Sequence, residues 1–121
     1  MDMGITPVEK EITVKKSIKD VRSDIVKQIE NMKGKIVKNE GNYIESDFGS
    51  LLKSRLLGEF FVSTATLPKK AEINLESTGD NETKVKILVR DTHKYGIKAG
   101  YVKKYEKALQ EVVDSISGVL K

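Results

Sequence analysis

The 121-residue sequence contains no cysteine, no tryptophan, two prolines and one histidine. Without cysteine there is no disulfide, no thiolate metal site, no iron–sulfur cluster and no cysteine nucleophile. The lone His93 removes zinc centres built on histidine pairs, because such centres take three or four N, S or O ligands. A metal site would have to be made of carboxylates, and none is expected. Long apolar runs are missing too: the stretch from Leu51 to Val62 is cut by Lys53, Arg55 and Glu59, well short of the roughly 20 residues that span a bilayer. No membrane segment is therefore expected. The amino terminus is polar and has Asp2 where a secretory leader carries positive charge, which predicts a cytoplasmic protein.

What remains is the composition of one small domain. Hydrophobic residues make up 38% and charged residues 33% of the chain, and a single domain ordinarily takes about 100–200 residues. Residues 1–7 are expected to be disordered and residues 8–121 to form one α+β domain. The net charge of +4 is modest, but the excess gathers late. Between Lys84 and Lys107, Lys84, Lys86, Arg90, Lys94, Lys98, Lys103, Lys104 and Lys107 face only Asp91 and Glu106 in the count.

Hydrophobic periodicity supplies the elements. Val8, Ile12 and Val14 alternate, which predicts a first strand with one apolar and one charged face. Ser17 stands at an N-cap position with Asp20 three residues on, and Ile18, Val21, Ile25, Ile29 and Met32 then form one helical stripe, closed by Gly34 as the left-handed residue. Lys35–Lys38 and Tyr43–Phe48 read as a hairpin around the turn residues 39–42. In the return strand Ile44, Ser46 and Phe48 share a face, and Glu45 and Asp47 share the other. A second hairpin has Ala71, Ile73 and Leu75 alternating before a turn over 78–82, then Val85, Ile87 and Val89 alternating after it. Val102, Tyr105, Leu109, Val112, Ile116 and Val119 form the stripe of a long final helix. The segment 49–67 carries mixed signals: Leu52, Leu56 and Phe60 have helical spacing, whereas Gly58 and the run FFVSTAT favour a strand over Glu59–Thr64.

The order is strand, helix, strands, helix. Hairpins make the sheet mainly antiparallel, and one-sided strands need one-sided cover, so the expected fold is a two-layer α+β sandwich of four to five strands with two helices on one face. Across residues 8–120 this order resembles the small helix-grip domains, of START and birch-allergen type, and one half of a TATA-box-binding protein. The resemblance is topological and implies a curved antiparallel sheet carrying a long C-terminal helix. It implies no particular functional residue, and the chain is shorter than helix-grip lipid carriers and has fewer strands.

Four places could carry chemistry. Asp91 and His93, two apart after the fifth strand, could orient an imidazole, but no serine, cysteine or second histidine accompanies them. Glu45 and Asp47 are a same-face carboxylate pair on an exposed strand, whereas acid–base catalysis needs two carboxylates in different environments. Gly96 and Gly100, expected before the last helix, have a spacing that matches neither a P-loop nor a dinucleotide fingerprint, so no cofactor is expected. The basic stretch, with Tyr95, Tyr101 and Tyr105 between its charges, has the composition of a single-strand nucleic-acid groove. The leading expectation is a non-enzymatic binding domain that holds a small apolar ligand or a protein partner, possible as a homodimer, between the C-terminal helix and the sheet. The alternative is a nucleic-acid-binding module using Lys84, Lys86, Arg90, Lys94, Lys98, Lys103 and Lys104.

Overall fold

The computed structural model of the protein describes residues 7–49, 69–91 and 99–120. The expected disorder of residues 1–6, the strand over Glu59–Thr64 and the placement of His93, Lys94, Gly96 and Lys98 lie outside the described residues. Strand β1 (Val8–Val14) leads into helix α1 (Ile18–Asn31), then β2 (Lys35–Glu40), β3 (Tyr43–Phe48), β4 (Lys69–Gly79), β5 (Glu82–Asp91) and helix α2 (Ala99–Gly118). The strands form one antiparallel sheet in the order β1-β5-β4-β3-β2. Both helices pack against it: α2 lies over β5 and β1, and α1 reaches β2, β4 and β5. This is the two-layer α+β sandwich with one covered face.

The covered face is the apolar one. Ile44 and Phe48 of β3, Ala71, Ile73 and Leu75 of β4, and Val85, Ile87 and Val89 of β5 are buried under Val21, Ile25 and Ile29 of α1 and the inner stripe of α2. Helix α1 starts as its sequence dictates, with the Ser17 hydroxyl accepting the Asp20 N–H at 3.2 Å. Its end differs. Lys33 takes the left-handed conformation, φ 62°, while the N–H groups of Lys33 and Gly34 donate to the carbonyls of Glu30 and Ile29, both at 2.9 Å. That double bond pattern closes the helix with Lys33 in the place ordinarily given to glycine. Gly34 is needed for another reason: a Cβ there would stand 2.5 Å from Cε1 of Phe48 and 2.9 Å from Cγ2 of Ile29. The turn after α1 thus lies directly on the Phe48 ring.

Other details also depart from the sequence reading. The hairpin turns are tighter, because β2 runs to Glu40 and β4 to Gly79, leaving Gly41 (φ 51°) and Asn81 (φ 57°) to supply the positive φ. Gly100 lies inside α2, and Asp91 ends β5 instead of following it. On α2 the buried apolar set is Tyr105, Ala108, Leu109, Val112, Val113 and Ile116, and past the helix end Leu120 is buried while Val119 is exposed. The inner face of β1 is not wholly apolar either. Lys10 sits between Val8 and Ile12 on the half-buried face and donates from Nζ to Ser117 Oγ of α2 at 3.2 Å.

The two edges are blunted. The edge strands β1 and β2 have 7 and 6 residues against 11 and 10 in β4 and β5. An inward lysine on β1 and a register shift between Ile36 and Lys38 on β2 are devices that discourage pairing with another sheet.

Candidate functional site

Polar side chains gather at several places among the described residues, and one of these is a cleft between the helix layer and the sheet with mainly apolar walls. It lies at the end of the sheet where β3 stops and β4 begins. Phe48 and Lys69 are cross-strand partners there, Met32 caps α1, and α2 contributes Ala108, Glu111, Val112 and Ser115. Together they line a cleft of about 250 Å³. The α2 residues recur at spacings of three and four, so they form one stripe that shares Ala108 and Val112 with the buried face of the helix.

Lys69 is the unusual member. Its side chain is on the covered face, 3% exposed, in line with Ala71, Ile73 and Leu75. Burial pushes its ammonium down to about 8, and the charge of Glu111 acts in the opposite direction. Water at this cleft is partly replaced by Met32, Phe48 and Val112, so the charged form is disfavoured. Opposite Lys69 in register stands Asp91 of β5. Burial, with the Asp91 carboxylate adding to it, holds the Tyr105 phenol well above its ordinary value. Asp91 therefore faces the helix layer, next to Tyr105.

Neither Lys69 nor its neighbours on α2 figured among the expected site residues. The signal was present: counting back in twos from Ala71 puts Lys69 on the inner face. Pro68 and the doublet Lys69–Lys70 gave the segment the look of a strand boundary, and a lysine does not announce an apolar face.

On the outer face of the sheet, Glu45 and Asp47 are tied to the same cation. Lys70 Nζ is 3.2 Å from Glu45 Oε2 and 3.5 Å from Asp47 Oδ1, and Tyr43 Oη donates to Glu45 Oε1 at 2.8 Å. The hydrogen bonds from Tyr43 and Lys70 hold the Glu45 carboxyl below its ordinary value. Burial, with the bond to Glu45, pushes the Tyr43 phenol up to about 12. The two carboxylates are parts of one structural ion cluster that ties β3 to β4.

The basic residues do not form one field in the described residues. Lys84 is 3.3 Å from Glu11, Lys86 3.3 Å from Glu9 and Arg90 3.6 Å from Glu72, all on the outer face. Lys103 and Lys104 belong to α2, which packs on the other face. On β1, β3, β4 and β5 the outer carboxylates Glu9, Glu11, Glu45, Asp47, Glu72 and Glu76 outnumber Lys70, Lys84, Lys86 and Arg90. Among the described residues no group of three or more His, Asp or Glu side chains could hold a metal ion, and no helix is long and apolar enough to cross a membrane.

No family model matches the sequence, and no curated protein matches it. Solved structures match over nearly the whole chain. Protein TTHA0849 from Thermus thermophilus aligns with a TM-score of 0.51 at 15% identity, covering 95% of this chain and 94% of that one. A structural-genomics protein from Nitrosospira multiformis gives 0.50 at 12%, covering 96% and 97%. Ara h 8.0201 gives 0.49 at 14%, covering 97% and 98%. At these identities the likeness is one of fold alone. Fold alone does not carry function.

Proposed function

We propose that the protein is a small non-enzymatic binding domain whose ligand, a compact apolar molecule, sits between α2 and the β3–β4 end of the sheet. The observation that carries this reading is the cleft itself: apolar walls from Met32, Phe48, Ala108 and Val112, with Lys69, Glu111 and Ser115 as its polar groups. Ligand sites are ordinarily concave and apolar with a few placed polar groups. A broad protein-docking face has less support. Among the described residues the exposed large apolar side chains are Val37 on β2 and Val119 beside the end of α2, one on a sheet edge and one in the helix layer.

Native mass spectrometry of the purified protein at low and moderate salt, followed by amide NMR titration with benzyl alcohol, tests the reading. A retained small molecule, or shifts concentrated at Met32, Phe48, Lys69, Ala108 and Val112, is the expected result. Ser115→Phe, which fills the cleft from a half-buried position on α2, is expected to weaken benzyl alcohol binding at least tenfold. A bare dimer without cleft shifts would turn the function to a protein interface. A salt-labile nucleic acid would turn it to the basic residues, since phosphate contacts weaken steeply with salt.

A further inference from the structure

We propose that Lys69 captures a neutral apolar carbonyl compound, an aldehyde or small ketone, as a protonated imine in the cleft between α2 and the β3–β4 end of the sheet. This rests on the reading of that cleft as a ligand site and names the class of ligand and the way it is held.

Charge selects the class. Among the described residues the cleft holds one ammonium, Lys69, and one carboxylate, Glu111, with Asp91 of β5 opposite Lys69 in register and the protonated Tyr105 phenol on α2. A carboxylate ligand would bring a further negative charge beside Glu111 and Asp91, and an amine ligand a second cation beside Lys69. Either would be partly desolvated. A neutral carbonyl compound changes no charge on entry. After reaction the protonated imine still bears the one positive charge of the ammonium it replaces, so the electrostatics of the buried site stay balanced.

Nucleophilicity points the same way. An amine attacks only as its free base, and a lysine with the ordinary value of 10.5 is about 0.03% free base at pH 7. The buried Lys69 amine, lowered to about 8, is about one-tenth free base at the same pH, a gain of roughly 300-fold in the reactive form. Met32, Phe48 and Val112 supply the apolar contacts that hold the organic part of the ligand and exclude water, which would hydrolyse the imine.

The step balances without a co-reactant. The ammonium gives one proton to solvent water, and the nitrogen lone pair forms a bond to the carbonyl carbon as the carbon–oxygen π pair moves to oxygen. Two protons, one returned from solvent and one from nitrogen, reach that oxygen. The carbon–oxygen bond breaks, water leaves, and the remaining nitrogen pair makes the carbon–nitrogen double bond. Nothing is oxidised or reduced, and the reverse addition of water releases the ligand.

The test is reductive trapping with benzaldehyde and cyanoborohydride at pH 7.5, read by intact mass and peptide mapping, with benzyl alcohol binding measured in parallel. Lys69 is expected to be alkylated at least tenfold faster than exposed lysines such as Lys19, Lys27 and Lys107, and Lys69→Met is expected to lose that fast phase while keeping its circular dichroism. Alkylation spread evenly over the exposed lysines, with benzyl alcohol still bound in the cleft, would overturn the imine and leave the ligand site standing. Failure of both compounds to bind would overturn both readings.

Discussion

Replacing Lys69 by methionine is expected to stabilise the folded protein at pH 7 by about 2 kcal/mol, although it removes a charge that has a carboxylate nearby. Methionine keeps an unbranched stem of similar length, so the contacts with the cleft walls survive and only the buried ammonium is lost. The folded-state value of about 8 against 10.5 for the free side chain corresponds to about 3 kcal/mol at 1.36 kcal/mol per unit. The cleft is open to water at one end, which reduces this to about 2 kcal/mol. The sign follows from proton counts. Between about pH 8 and 10.5 the unfolded chain holds the Lys69 proton and the folded chain does not, so wild-type stability gains with rising pH across that window, and below it the penalty is present in full. The variant lacks this gain. Urea unfolding of both proteins at pH 7 and pH 10 should therefore show a gap of about 2 kcal/mol that shrinks to less than about 1 kcal/mol, the other lysines cancelling in the difference. A variant less stable at pH 7, or a gap that does not change with pH, would mean that attraction to Glu111 outweighs burial, and the reasoning would fail.

Gly34→Ala should cost about 2 kcal/mol in urea unfolding, because the added methyl meets the Phe48 ring and the Ile29 side chain; it should also weaken benzyl alcohol binding, since Phe48 lines the cleft. Lys33→Gly should raise stability by about 0.5–1 kcal/mol, relieving a left-handed residue that has a Cβ, and no change would argue against the helix end described above. In an absorbance titration, Tyr43 and Tyr105 should still be protonated at pH 11, where ordinary phenols have ionised; loss of both protons below that pH while circular dichroism stays native would contradict their environments. A labelled single-stranded oligonucleotide should show no binding in anisotropy at 0.15 M salt, because the outer-face cations are matched by carboxylates; salt-sensitive binding lost on replacing Lys84 and Lys86 would refute this.

The period-two and period-3.6 patterns made most of the fold legible. Val85, Ile87 and Val89 could face only one way once Lys84, Lys86 and Arg90 faced the other, and Ser17 marked the start of α1 to the residue. Helix termini and turns were less legible because backbone conformation there is decided by more than local preference. Lys33 is left-handed while the adjacent Gly34 is spent on a close approach to Phe48, a residue 14 positions away that no local rule could bring there. The stripe of α2 failed at Val119 because the helix ends at Gly118 and Leu120, past that end, is the residue that turns inward; within the helix the buried face is wide and takes in Ala108 and Val113. The cleft was the least legible feature. Its residues come from α1, β3, β4 and α2, and Ala108, Glu111 and Ser115 belong to none of the motifs by which a site announces itself in one dimension.

Two lysines point toward the helices, and their settings differ in a way that bears on function. Lys10 lies on β1, an edge strand, where an inward charge hinders pairing with another sheet and where the half-buried ammonium reaches Ser117. Lys69 lies on β4, which is paired on both sides, so no open edge there needs a guard. A buried ammonium on an inner strand lowers stability, and a methionine or leucine would serve the packing better. Sites that lower stability without serving the fold are where binding and chemistry concentrate. Lys69 lines the cleft, whose apolar walls hold its amine below the ordinary value. On the proposed reading, the cost of burying that ammonium is the cost of keeping a reactive amine beside the ligand.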